Sequence, residues 1–454
     1  MSLQSINPAT GETLAVIEPW TSAQVETALA AAARAAPDWA ATALAARCEA
    51  LRRMARLLRA RRDELARLIT LEMGKLIGEA RAEIDKCALA CDYYAEQAPA
   101  FLADEIIASD AGRSFVAHEP LGTLLAVMPW NFPFWQVFRC AAPAIAAGNT
   151  ILLKHAANVP QCAQAIESLW RESGLPEGVF RTLLITADQV PDVIADDRVR
   201  AVTLTGSEAA GRAVAACAGR HLKKTVLELG GSDPFIVLPD AELEAAVEVA
   251  VTSRFLNAGQ SCIAAKRFIV VAAVADAFLE RFKAAVTALR CGDPLDEATT
   301  LAPLARPDLR ETLHRQVQAS LAAGAVAVTG CAPHPGRGAF YLPSLLDRVG
   351  PGMPAWEEEM FGPVAAVIRV ADEEEAVAVA NASRFGLGGS VWTRDTARGE
   401  RLARRIQSGA VFVNGLVKSD PRLPFGGIKA SGYGRELSHH GLREFLNLKT
   451  VWIR

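Results

Sequence analysis

The sequence predicts an α/β protein built around parallel sheets. Short apolar runs rich in Val, Ile and Leu alternate with Ala- and Leu-rich helical stretches through most of the chain. The 454 residues are enough for two or three packed lobes. A hydrophobic fraction of 51% with 22% charged residues is that of a globular protein, not a disordered or fibrous one.

Residues 22–36 and 45–110 read mostly as amphipathic helix. The arginines between Arg52 and Arg62 recur at helical spacing beside Leu57, Leu58 and Leu65, which describes a solvated helix face. Next come a strand at 124–128, a helix at 135–147, a strand at 150–154 and a helix near 161–172. Strands at 183–185 and 201–205, a helix near 208–218 and a strand over 225–229 close this half. Such alternation implies a parallel sheet covered on both faces. A second alternating half opens near Pro234, with strands at 235–238, 269–271, 365–369 and 410–414. Helices at 241–256, 274–290 and 373–381 and an Ala/Gly-rich region at 319–330 lie between them. Two α/β lobes place ligands in the crevice between them. Residues 449–452 read as a strand with no partner nearby in sequence, as if made for pairing with another subunit.

A net charge of −3 argues against nucleic acid as a partner. No apolar stretch reaches membrane-spanning length before Pro, Gly or charge interrupts it, and no secretory leader is recognisable. Nine cysteines scattered singly fit free thiols in a reducing cytoplasm. Seven histidines without ligand spacing indicate no metal.

Five segments carry potential chemistry. In Asn257-Ala-Gly-Gln-Ser-Cys262, a lone cysteine sits on a loop between a helix and a strand. It is either a small buried hydrophobe or a nucleophile facing a crevice. Thr225-Val-Leu-Glu-Leu-Gly-Gly231 is an apolar strand ending in a carboxylate and two glycines. Glu228 is there a solvated strand end or a general base, with glycines that allow close backbone approach. In Pro129-Trp-Asn-Phe-Pro133 two prolines stiffen the turn, so the Asn131 amide can face a developing oxyanion. Gly206 and Ser207, between the strand at 201–205 and the following helix, make a phosphate-type helix N-terminus, although the spacing is not GxGxxG. Lys154 ends its strand and is either a surface lysine or a group that reaches a ribose or phosphate.

Together these segments resemble the aldehyde dehydrogenase superfamily. Asn7-Pro-Ala-Thr-Gly11, the Pro129–Pro133 turn, Lys154, Thr205-Gly-Ser207, Glu228-Leu-Gly-Gly231 and Gly259-Gln-Ser-Cys262 occur in that family's order. Glu358-Glu-Met-Phe-Gly-Pro363 and Pro424-Phe-Gly-Gly-Ile-Lys429 with Ser431-Gly432 continue it. The resemblance implies a Rossmann-type cofactor domain over 1–112 and 127–230 and a catalytic domain over 231–420. It also implies an oligomerisation arm from a β-hairpin at 113–126 and the tail 440–454, in a homodimer or homotetramer. It implies Cys262 as nucleophile, Asn131 with the Cys262 N–H as oxyanion donors, and Glu228 as the base for thioester hydrolysis. Trp130, Lys154, Gly206, Ser207, Glu228, Leu229, Glu359 and Phe361 become the NAD or NADP contacts. Lys154 and Glu359 fall at the ribose, Ser207 at the pyrophosphate and Phe361 beside the nicotinamide.

The strongest likeness is to short bacterial-type succinate-semialdehyde dehydrogenases, carried by the stretches 131–139, 259–267 and 434–443. It makes Arg139 a carboxylate clamp, with a structural ion pair as the other reading. Departures matter. Leu256 stands where some of these enzymes place a second arginine, so Ser419 and Arg422 become candidate anchors. Cys140 replaces a lysine of the proton relay, whose carboxylate matches Glu436. Ala157 replaces the glutamate that repels a 2′-phosphate, so both cofactors are expected to serve. Ala264 removes the second cysteine of the redox-switched enzymes. Two other expectations compete with succinate semialdehyde as substrate: a broader aldehyde dehydrogenase, and a non-catalytic relative.

Overall fold

The computed structural model describes residues 2–454. One sheet has six strands in the spatial order Gly432–Tyr433, Lys224–Glu228, Val199–Thr205, Thr123–Met128, Thr150–His155 and Phe180–Thr182. The last five are mutually parallel, and Gly432–Tyr433 runs antiparallel at the edge. These strands are continuous apolar runs because both faces are covered. Leu124, Ala126, Ile151 and Leu153 enter a core shared with the helices Leu44–Ala60, Ile77–Phe101 and Trp135–Ala147. Their neighbours Leu125 and Leu152 point the other way, to the helices Ser22–Ala41 and Glu208–Arg220.

From Thr123–Met128 the chain winds outward through Thr150–His155 to Phe180–Thr182. It then returns to the opposite side of its starting strand as Val199–Thr205. That reversal is a topological switch point, and the loops after Met128 and Thr205 diverge there to open a crevice.

The second sheet runs in the order Val326–Thr329, Ser344–Asp347, Val364–Val370, Ala265–Val271, Asp233–Val237, Ser390–Trp392 and Phe412–Val413. Only the pairing of Val326–Thr329 with Ser344–Asp347 is antiparallel. Phe235, Phe268, Phe282 and Trp392 pack ring on ring beneath it.

The structure corrects the sequence reading at several points. The helical stretch 45–110 is three helices, Leu44–Ala60, Arg62–Met73 and Ile77–Phe101. Gly74, at φ 85°, ends the second in a left-handed cap. The strand expected at 183–185 lies three residues earlier, at Phe180–Thr182. No hairpin forms over 113–126. Arg113–Pro120 belongs to a small antiparallel sheet, while Thr123–Met128 is central to the six-stranded sheet. Gly122, at φ 118°, turns the chain from one to the other, and its N–H is held by Asn149 Oδ1 at 3.0 Å. The C-terminal strand, Leu446–Ile453, finds its partner within the chain: it pairs with Arg113–Pro120 over eight residues. A pairing between segments so distant in sequence leaves no trace in local periodicity.

Candidate active site

Cys262 follows a backbone that L-residues adopt at a cost. Asn257, Ala258 and Gly259 all have positive φ, at 55°, 52° and 74°. Polar contacts hold this strained turn. The Asn257 amide donates to the carbonyls of Asn131 (2.8 Å) and Gln260 (3.1 Å), and the Asn257 N–H donates to Glu79. The fully buried Arg254 donates to the carbonyls of Gly259 (2.6 Å), Gly362 (2.7 Å), Ala265 and Met360 (3.2 Å each). One guanidinium thus ties the cysteine loop to the Glu359–Phe361 loop. Lys266 adds a second tie, donating to the carbonyls of Ser261 and Cys262 at 2.7 Å each and to Glu359 at 3.1 Å. Arg254→Met is expected to lower stability by about 3 kcal/mol, because buried carbonyls lose their donor. Urea denaturation of the variant checks this.

Burial pushes the Cys262 thiol up to about 12, while Arg139 and Lys266 pull it back. Gly231 lets the two halves of the site meet: a Cβ there would lie 2.5 Å from the Cys262 carbonyl oxygen.

The Pro129–Pro133 turn is rigid for more reasons than its prolines. His155 Nε2 donates to the Pro133 carbonyl at 2.8 Å, while its Nδ1 accepts from the Ala156 N–H. Burial holds that ring neutral, at about 4. Glu83 accepts from the N–H groups of Phe134 and Trp135 at 2.8 and 2.9 Å, and it is ion-paired with Lys75. One Asn131 amide N–H donates to the Gln260 carbonyl at 3.0 Å, which leaves the second N–H available.

Glu228 is buried, and neither carboxylate oxygen finds a partner among the described residues. Burial first, then the neighbouring Glu436, raises its pKa well above the carboxylate range. Gly426 gives it room, since a Cβ there would approach Oε1 to 2.6 Å. Arg139 acts electrostatically on both Cys262 and Glu228. Its Nε is paired with Glu436, its Nη2 donates to Thr205 Oγ1 at 3.2 Å, and its plane lies 4.6 Å over the Phe425 ring. The ion pair that the sequence left open for Arg139 is therefore present. Cys140 faces the core with a thiol raised by burial, so Glu436 has an arginine, not a lysine, as its cation.

The expected nucleotide residues gather at the crevice. Lys154, Trp130, Gly206 with Ser207, and Leu229 lie at or just beyond the C-terminal ends of four adjacent parallel strands. Ser207 caps the helix Glu208–Arg220, its Oγ accepting from the Ala210 N–H at 3.3 Å. Lys154 is buried, and burial alone lowers its pKa, with no carboxylate to oppose it. A buried lysine without a carboxylate and a helix N-terminus, on strands of the same sheet, are groups that suit a phosphorylated dinucleotide. From the second lobe, Glu359 accepts from the Gly231 N–H at 3.0 Å and from Lys266. The Phe361 and Trp130 rings meet edge to face at 5.9 Å.

A cavity of about 410 Å³ reaches Cys262. Arg139, Ser419, Lys86, Trp135 and Phe425 lie in its wall, whereas Asn131 and Glu228 stand outside the lining. Arg422, expected there, is excluded. Its side chain is 73% exposed and bonded to Asp420, two residues back, so the loop turns it outward. Lys86, Arg254 and Lys266 escaped the sequence reading. Lys86 sits in a charged helical pattern, and no local motif distinguishes it from a solvated residue.

Residues 1–451 match the model of the aldehyde dehydrogenase family. The chain belongs to that family. It is 52% identical over 453 residues to the probable NADP+-dependent succinate-semialdehyde dehydrogenase of Synechocystis sp., with both chains fully covered. It is also 52% identical to the NAD(P)+-dependent succinate semialdehyde dehydrogenase Sad of Escherichia coli strain K12, covering 99% of this chain and 97% of Sad. Among solved structures, the Gox0499 protein superposes with a TM-score of 0.99 at 44% identity, covering both chains fully. Succinic semialdehyde dehydrogenase from Streptococcus pyogenes, solved with NADP+, gives 0.98 at 40% identity over 99% of each chain.

Proposed function

We propose that the protein oxidises succinate semialdehyde to succinate with NAD+ or NADP+. The observation that carries this reading is the cavity lined by both Cys262 and Arg139. The names of its full-length relatives agree with it.

Cys262 attacks the aldehyde carbon as thiolate. Asn131's free N–H and the Cys262 backbone N–H receive the oxyanion of the thiohemiacetal. A bound nicotinamide dinucleotide supplies the hydride acceptor, and the thiohemiacetal collapses to a thioester. Glu228 then takes a proton from water, which attacks the thioester and releases succinate. Lys154 and Glu359 would hold ribose hydroxyls, and Gly206 and Ser207 the pyrophosphate. Trp130, Leu229 and Phe361 would flank the nicotinamide half. Ala157 is exposed and sets no carboxylate against a 2′-phosphate. In this reading the six-stranded sheet is the cofactor half, and the second sheet carries the nucleophile.

The test is a kcat/KM panel over carboxylated and uncharged aldehydes with both cofactors. Succinate semialdehyde is expected to lead butanal. NADP+ is expected to turn over within about a thousandfold of NAD+ (~4 kcal/mol); a larger gap contradicts the role given to Ala157. Arg139→Ala is expected to raise KM for succinate semialdehyde about tenfold more than for butanal. Equal losses on both substrates are what a purely structural pairing with Glu436 predicts, and they would end the clamp reading.

Self-association through the small antiparallel sheet completes the proposal. Leu446–Ile453 is its edge strand and exposes Leu448, Trp452 and Ile453. Nine free cysteines support a reducing compartment, the cytoplasm, as its location. No described helix is long and apolar enough to cross a membrane.

A further inference from the structure

The cavity wall holds a cation, Lys86, that forms no ion pair with a carboxylate among the described residues. Lys86 projects from the helix Ile77–Phe101, and its Nζ lies 4.3 Å over the Trp135 ring and donates to Ser419 Oγ at 2.8 Å. The two carboxylates that act on it electrostatically are engaged elsewhere: Glu83 with Lys75, and Asp420 with Arg422. Arg139 differs, because Glu436 already neutralises it. Leaving a partly buried ammonium without a counter-ion costs free energy unless an anion arrives.

Ser419 sharpens the point. Its Oγ accepts from Lys86 Nζ and from Trp135 Nε1, the latter at 3.0 Å. Both acceptor positions are then filled, so its own O–H is left to donate. Lys86 has spent one of its three donors. The pair therefore presents donors and a net positive charge in a cavity wall that is otherwise largely apolar, with Phe132, Leu256 and Val417 among its members.

We propose that Lys86, with the Ser419 hydroxyl, is the anchor for the distal carboxylate of the substrate, supplying the charge that no arginine at position 256 provides. This rests on the reading that the substrate is an ω-carboxylated aldehyde. Lys86 is then a further specificity-determining residue beside Arg139, which contributes hydrogen bonds from a pair already neutralised by Glu436.

Lys86 also gives the subsite a pH dependence. Burial and the neighbouring Arg139 lower its pKa to about 8, against Cys87, Glu83 and Asp420, which raise it. Glu79 and Lys418 also face the cavity. The ammonium is present below that value and is lost as pH rises through it. Preference for the carboxylated substrate must fall on the same limb.

The experiment compares wild type, Lys86→Met and Lys86→Arg with succinate semialdehyde and butanal. The readout is the ratio of the two kcat/KM values, in which titrations of Cys262 and Glu228 common to both substrates cancel. Lys86→Met is expected to lower the ratio about 30-fold, as for a lost charge-assisted hydrogen bond. Butanal turnover reports that the variant is folded, and Lys86→Arg is expected to restore part of the ratio. The wild-type ratio should fall as pH is raised across about 8, and the Lys86→Met ratio should not. Succinate, as an inhibitor of butanal turnover, should bind less well to Lys86→Met. An unchanged ratio in Lys86→Met, or equal loss on both substrates, overturns the proposal. A wild type with no preference for succinate semialdehyde instead overturns the substrate reading on which it rests.

Discussion

Replacing Cys262 by Ser is expected to lower aldehyde oxidation by about 10⁵-fold while leaving dinucleotide affinity unchanged. A serine hydroxyl at that position has no accessible anion and no base held for it, so the addition to the aldehyde has no nucleophile. The thiol itself is pushed up to about 12 by burial in the resting site. Lys266 and Arg139 offset that burial, and polarisation of the aldehyde by the two N–H donors assists attack. The substitution is nearly isosteric, and the turn before it stays anchored by Asn257 and Arg254. Steady-state assay with calorimetric titration of NADP+ separates loss of chemistry from loss of fold. Retained turnover would move the nucleophile elsewhere.

Glu228→Gln is expected to lower steady-state turnover by about 10³-fold, the effect of losing a general base. In the proposed mechanism hydride transfer precedes the step that needs Glu228. The variant should therefore still release one equivalent of reduced cofactor per site in a rapid burst, then stall. The pH dependence has a definite sign. Burial, and then Glu436, raise the Glu228 pKa, so the carboxylate form that can act as a base is reached at higher pH than for an exposed glutamate. Thioester hydrolysis in the wild type should climb with pH, and the Gln variant should lose that limb. A burst that disappears along with turnover would assign Glu228 to an earlier step.

The parts legible in the sequence share a physical cause. Parallel strands covered on both faces must be continuous apolar runs, so 124–128, 150–154 and 201–205 announced themselves to within two residues. Glycines that allow close approach, such as Gly231 against the Cys262 carbonyl, were legible as motif. What stayed hidden depends on tertiary contact. Arg254 and Lys266 act by bonding to backbone carbonyls of segments that only the fold brings together. Lys86 shares its helix with many charged residues, and only packing against the helix Trp135–Ala147 turns it inward. Arg422 misled for the converse reason: Asp420, two residues away, draws it to the surface. The C-terminal strand Leu446–Ile453 pairs with a segment some 330 positions earlier, so no periodicity announced its partner.

The thioester on Cys262 is the centre of the account, and mass spectrometry of the stalled Glu228→Gln enzyme tests it most directly. After mixing with succinate semialdehyde and NADP+, the peptide carrying Cys262 is predicted to gain the mass of one succinyl group, and hydroxylamine is predicted to release it. An unmodified Cys262 peptide after a full burst, or a succinyl group on another residue, would contradict the mechanism.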